Sequence, residues 1–166
     1  MGEVARTLVS LSGPSSVHGI IPEALMKYEQ TPSDGGSPTI DEKIYGRTTV
    51  VPDMHTRKAS MAAEVAKGGL GSGFVALSGG FGTLEELMEV ATWNQLGIHD
   101  KGVCVFNVEG YWDGLLKWVG EAVEAGFISE ANGGILVSGN NPEEVLKRLR
   151  EYANSKDRFR LEWGMK

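Results

Sequence analysis

The chain has little from which to build a disulfide, a metal centre, a membrane anchor or a basic face. Cys104 is its single cysteine, so no intrachain disulfide can form and a reducing compartment fits best. His18, His55 and His99 are the only histidines, and with one thiol beside them no metal-ligand spacing is present. The apolar runs all fall far short of the roughly 20 residues that span a bilayer. The opening MGEVARTL has no hydrophobic secretory core, and Arg6 stands where a myristoylation signal carries Ser or Thr. Basic residues are outnumbered, 16 Lys and Arg against 22 Asp and Glu, for a net charge of −6. Binding to nucleic acid regardless of sequence needs a basic face, which this balance argues against. A small anionic ligand is still allowed, because a few local donors can outweigh a weak overall field. These absences predict a soluble, cytoplasmic protein that uses no metal, no nucleic acid and no membrane.

With 166 residues, 41 % of them hydrophobic, the chain can bury one good core, and one domain is expected. Residues 3–11 read as a helix with Val4, Leu8 and Leu11 on one face. Residues 17–22 form a short strand ended by Pro22, and residues 31–40 a Pro/Gly/Ser-rich loop. IYGRTTVVP, 44–52, alternates toward a strand rich in β-branched residues. Asp53 then caps a helix from Met54 to about Lys67. A flexible connection, 68–73, leads into the strand FVAL, 74–77, and a helix begins near Thr83 with Leu84, Leu87, Met88 and Ala91 on its apolar stripe. Strand 103–108, helix 111–127, strand 135–137 and helix 142–153 complete the pattern, with Pro142 in the first turn of the last helix. The tail, 154–166, has no periodicity and either packs on a partner or frays. Strands alternating with helices through short loops imply an α/β fold, doubly wound, with a mainly parallel sheet and helices on both faces.

LSGGFGTLEEL, 77–87, lies where an apolar strand gives way to a helix. Ligands of parallel sheets sit at the carboxyl ends of the strands, and the amino end of a helix suits an anion. Gly79, Gly80 and Gly82 can turn tightly and leave backbone N–H groups facing outward, and Thr83 adds a hydroxyl. Two readings fit: an oxyanion site, or glycines that merely let helix and strand pack closely. The stretch is neither a P-loop nor a complete GxGxxG pattern. Thr83-Leu-Glu-Glu86 likewise fits a capping box, or a pair of carboxylates with separate tasks on a nucleotide, one holding ribose hydroxyls and one facing the anomeric carbon. In MHTRK, 54–58, Arg57 and Lys58 lie near the positive end of their helix dipole, against local preference. They are either a solvated surface pair or a site awaiting an anion or a carboxylate.

Met54-His55-Thr56-Arg57-Lys58, followed by Gly79-Gly80-Phe81-Gly82-Thr83-Leu84-Glu85-Glu86, resembles the paired signatures MHxRK and PGGxGTxEE of the LOG ("Lonely Guy") family. These are cytokinin riboside 5′-monophosphate phosphoribohydrolases, often labelled lysine decarboxylases. The resemblance continues through residues 93–99, 107–112 and 126–128. Ser78 stands where the family usually has proline, and residues 31–40 and 67–73 are longer than its common pattern. Met1-Gly2-Glu3 looks like the end of the family's Gly-Leu-Met-Gly segment, so the family's first strands and their glycine-rich loop would precede it.

The resemblance implies a single Rossmann-like domain over 1–166 that lacks those strands. It further implies hydrolysis of the N-glycosidic bond of an adenine-type nucleoside 5′-monophosphate, with no cofactor. The 5′-phosphate falls to Gly79, Gly80, Gly82 and Thr83, ribose hydroxyls to Glu85, and cation stabilisation or water activation to Glu86. Arg57 orients that carboxylate or assists departure of the base, and Met54 and Lys58 belong to the substrate pocket. The roles of Glu85 and Glu86 can be exchanged. A homodimer is expected. A non-catalytic nucleotide or cofactor carrier is the alternative, and a self-associating scaffold using residues 89–118 a third.

Overall fold

The computed structural model describes residues 2–28 and 40–161. Its backbone divides into two compact units, Met1–Met61 and Ala62–Lys166.

The first unit opens with α1, Gly2–Ser12, in which Val9 is the buried residue while Val4, Leu8 and Leu11 are exposed. The predicted apolar stripe therefore lies on the opposite side from the residue that packs. Strands β1, His18–Pro22, and β2, Arg47–Val51, pair in parallel from His18↔Arg47 to Pro22↔Val51. The expected strand over 44–52 begins later than predicted, because Ile44 and Tyr45 belong to the short helix α2, Glu42–Tyr45. The Asp41 side chain accepts from the Lys43 N–H at 2.9 Å and so starts that turn, and Gly46 at φ 85 ends it. A capped turn outweighs the strand preference of two residues. Helix α3, Met54–Ala66, is capped as expected: Asp53 Oδ1 accepts from the Thr56 N–H at 2.7 Å. The boundary between the units falls inside α3.

The second unit holds β3, Gly73–Ala76, β4, Gly102–Phe106, and β5, Leu136–Gly139, all parallel and in that order. Helix α4, Phe81–Gln95, joins β3 to β4. Helices α5, Asp113–Glu124, and α6, Glu130–Gly133, lie between β4 and β5, and α7, Pro142–Arg150, follows. Val103, Cys104 and Val105 of the central strand are 0 % exposed. Side chains alternate across a strand, and the two faces of β4 divide accordingly. Val103 and Val105 pack with Leu87 and Val90 of α4 and with Trp112, joined by Leu115 and Leu116 of α5. Cys104 packs with Val145 and Leu149 of α7. Helices on both faces of a parallel sheet are the doubly wound arrangement read from the sequence.

Helix α7 is well determined locally. Asn141 Oδ1 accepts from the Glu144 N–H at 2.9 Å, and Glu144 Oε2 accepts from the Asn140 N–H at 2.8 Å. In the tail, Arg158 and Phe159 do not fray but are held by the chain itself. Arg158 Nε donates to Asn94 O at 3.0 Å, its Nη2 to His99 O at 2.8 Å, and the Phe159 N–H to Gln95 O at 2.8 Å. Those carbonyls belong to the end of α4 and the turn after it, where a cation is favoured by the helix dipole. Of the predicted loops, 31–39 and the last five residues lie outside the described residues, while Gly73 of the 68–73 connection is the first residue of β3.

Candidate active site

Helix α4 starts at Phe81, two residues before the expected Thr83, with Gly80 as its N-cap. A glycine cap has no side chain to satisfy the helix amides, and no side-chain capping bond is made. The first intrahelical bond runs from the Leu84 N–H to Gly80 O at 3.0 Å. The N–H groups of Phe81, Gly82 and Thr83 precede it and find no acceptor among the described residues. Open amides at a helix N-terminus of this kind are able to receive an oxyanion.

The three glycines divide between the two readings left open by the sequence. A Cβ on Gly79 would collide with Oγ1 of Thr83, so Gly79 makes room for that threonine. A Cβ on Gly80 or Gly82 would meet nothing within 4 Å among the described residues. Internal packing therefore does not require glycine at these two positions. Because Thr83 lies inside the helix and not at its cap, Thr83 and Glu86 do not form the capping box that the spacing allowed. Glu85 is exposed and Glu86 half-buried, one turn beyond the open amides. Phe81, at the first helical position, is 93 % exposed.

A second loop, 107–113, leaves the carboxyl end of β4, the parallel neighbour of β3. Tyr111 reaches from it to donate its hydroxyl to Gly79 O at 2.6 Å. Sequence reasoning gave Tyr111 no role. A polar, glycine- and aromatic-containing run directly after the central apolar strand was the available signal.

Met54, Arg57 and Lys58 share the amino-terminal part of α3 in the first unit. Arg57 Nε donates to Ile20 O of β1 at 3.0 Å, which fixes the guanidinium on the strand. Lys58 is half-buried and Met54 exposed. The Asp53 carboxylate at the cap offsets part of the dipole penalty of the two cations, and the N–H of Thr56 holds its carboxyl below the usual range. Gly79, Gly80, Gly82, Thr83, Glu85 and Glu86 thus lie in the loop after β3 and the first two turns of α4, in the second unit. Met54, Arg57 and Lys58 are brought together on one turn of the first.

Among the described residues no three His, Cys, Asp or Glu side chains converge as a metal site requires. His99 is structural. Its Nε2 hydrogen bonds to Val90 O at 2.8 Å and its Nδ1 accepts from the Lys101 N–H at 3.2 Å, which fixes a neutral imidazole with the proton on Nε2. No described helix is long and apolar enough to cross a membrane.

The family model described as "Possible lysine decarboxylase" matches residues 1–149. The chain is 54 % identical over 163 residues to a "Bifunctional cytokinin biosynthesis protein" of Fusarium pseudograminearum, covering 98 % of this chain and 34 % of the relative. It is 44 % identical over 155 residues to the cytokinin riboside 5′-monophosphate phosphoribohydrolase LOG3 of Arabidopsis thaliana, covering 92 % and 65 %. With the probable enzyme of the same description from rice, LOGL3, it shares 42 % over 158 residues, covering 95 % and 66 %. The chain therefore spans about a third of the fungal relative and just under two thirds of these plant ones. The chain belongs to the family described as possible lysine decarboxylase, the LOG family whose two signatures occupy residues 54–58 and 79–86.

Proposed function

We propose that the protein hydrolyses the N-glycosidic bond of a cytokinin riboside 5′-monophosphate, or of AMP, to free base and ribose 5-phosphate. The observation that carries this reading is the uncapped turn at the amino end of α4, open beside Gly80 and Gly82, with two carboxylates in the next turn. The reading is supported by plant relatives named as cytokinin riboside 5′-monophosphate phosphoribohydrolases. In it, the bond from C1′ to the base nitrogen breaks with its electron pair leaving on the base. Water supplies hydroxide to C1′ and a proton to the departing nitrogen.

The amides of the glycine turn and the Thr83 hydroxyl hold the 5′-phosphate, which fixes the distance from the phosphate to C1′. As C1′ becomes cationic, a carboxylate stabilises it electrostatically, as in sugar hydrolysis generally. Glu86, the less exposed of the pair, takes this task or activates the water, and Glu85 holds ribose hydroxyls. The family resemblance gives Arg57, anchored on β1, a catalytic role and gives Met54 and Lys58 a part in substrate binding. The working form is a homodimer in the cytoplasm, which light scattering of the purified protein checks for assembly.

Purified protein incubated with AMP or isopentenyladenosine monophosphate should release free base, read by chromatography, and the activity should survive a chelator. Nucleosides without the phosphate should be poor substrates. Thermal stabilisation by AMP without release of base would replace this reading with that of a nucleotide carrier.

A further inference from the structure

The loop after β4 holds a strained turn that aims one side chain. Glu109 has φ 53 and ψ 27, the sole positive φ outside glycine among the described residues. Residues with a Cβ seldom adopt this left-handed conformation, which is strained for them. Gly110 follows at φ 74, and a Cβ there would lie 2.6 Å from Oδ2 of Asp113. That carboxylate is itself held, since Asn107 Nδ2 donates to Asp113 Oδ1 at 2.8 Å. Buried Asn107 closes the clasp by accepting from the Trp112 N–H at 2.7 Å. Two successive left-handed residues thus reverse the chain inside a single short turn, and a buried amide keeps it there.

The result of that reversal is the orientation of Tyr111. Its ring stands edge-on to Trp112, with centroids 5.1 Å apart and planes at 85°. Because Tyr111 is 53 % exposed, burial of its ring does not account for the strain. Its hydroxyl does have a defined target, the Gly79 carbonyl at 2.6 Å. The peptide that follows this carbonyl joins two glycines, and such a unit turns over more readily than any other. A trans peptide is planar, with C=O and N–H pointing in opposite directions. Holding Gly79 O toward Tyr111 therefore directs the Gly80 N–H away from it, at a residue beside which the structure is open.

We propose that Tyr111 is a positioning residue: it locks the Gly79-Gly80 peptide in the orientation that presents the Gly80 N–H to the substrate's phosphate. The chemical identity of that anion rests on the phosphoribohydrolase reading, whereas the locking rests on the geometry above. Through this peptide Tyr111 sets the preference for a 5′-phosphorylated substrate over the bare nucleoside. The bond serves the bound phosphate equally in ground and transition states, so its loss acts on KM and leaves kcat in place.

The test compares the whole chain with its Tyr111→Phe variant, which removes one hydroxyl from a half-exposed ring. Three quantities are read: binding of ribose 5-phosphate by calorimetry, the Gly80 amide signal of 15N-labelled protein as ribose 5-phosphate is added, and kcat and KM for AMP and adenosine. In the variant the Kd for ribose 5-phosphate and the KM for AMP should rise about three- to tenfold, the scale of one hydrogen bond. The preference for AMP over adenosine should fall by the same factor, kcat should hold, and the Gly80 signal should respond less. An unchanged Kd, KM and preference would overturn the proposal. So would a fall in kcat with the preference intact, which is what a general packing role produces. If the parent chain binds ribose 5-phosphate but releases no base, the phosphoribohydrolase reading fails and the binding arm alone decides for or against Tyr111. If the parent chain does not bind ribose 5-phosphate, the positioning role is overturned.

Discussion

A carboxylate close to an anion site works against binding unless its charge is used elsewhere in the reaction. Glu85 and Glu86 stand one turn from the open amides of α4, and with Gly80 as the cap they are not part of a capping box. On the proposed reading they separate in kinetics. Glu86→Gln should lower kcat about 10²- to 10⁴-fold, the range for loss of a catalytic acid–base or charge-stabilising group, while melting temperature holds. Glu85→Gln should act mainly on KM. Steady-state rates on AMP with a thermal melt of each variant check both, and near-normal turnover of Glu86→Gln would remove it from the catalytic role. These two residues were legible in the sequence because charge in an apolar, glycine-rich setting is visible without a structure. Tyr111 was not, because its partner Gly79 is 32 residues away and the contact exists only once β3 and β4 pair.

At the scale of elements, the glycines of the turn make opposite predictions. Gly82 lies in the helix beside open space, so Gly82→Ala should leave the fold as stable or raise it by up to about 1 kcal/mol. The same methyl stands in the way of a phosphate approaching the backbone, so affinity for ribose 5-phosphate should drop. Gly79→Ala, driven against Thr83, should destabilise. Urea denaturation paired with calorimetric binding distinguishes the two; if Gly82→Ala bound ribose 5-phosphate normally, that amide would not belong to the site. In α7, Asn141→Ala should cost about 1 kcal/mol through loss of the cap, read by the same denaturation.

Helix and strand periodicity made most elements legible, down to Asp53 as a cap and Pro142 as a first residue. The start of α4 was missed because glycine caps without a side chain, which leaves no polar signature in front of the helix. Helix α2 was missed because Ile44 and Tyr45 favour strands on their own, and only Asp41 and Gly46 together overrule them. The anchoring of the tail depends on carbonyls at the far end of another helix, which no local pattern reports.

Across the molecule, the parallel sheets and two-sided helical cover followed from the order of strands and helices, and the continuous apolar run of β4 announced the strand buried on both faces. The buried titratable groups set a window of stability in pH. Burial, the largest influence on His99, holds its imidazole below the ordinary value of 6.5. The unfolded chain therefore takes up a proton there that the folded chain refuses, and stability declines as pH falls below about 6.5. Burial acts in the other direction on Cys104 and Tyr152, pushed up to about 11 and about 12. Folded, they keep protons that the unfolded chain releases, so stability declines again above their ordinary values of 9.0 and 10.0. Urea titrations across this range should give a plateau between the two limbs, and His99→Asn should flatten the acid limb.

The seclusion of Cys104 also makes the chain its own conformational reporter. A maleimide or aromatic disulfide reagent has one possible target per molecule, and that target becomes available only when α7 lifts from the sheet. The slow rate of modification under native conditions therefore counts openings of that face directly, without any probe being introduced.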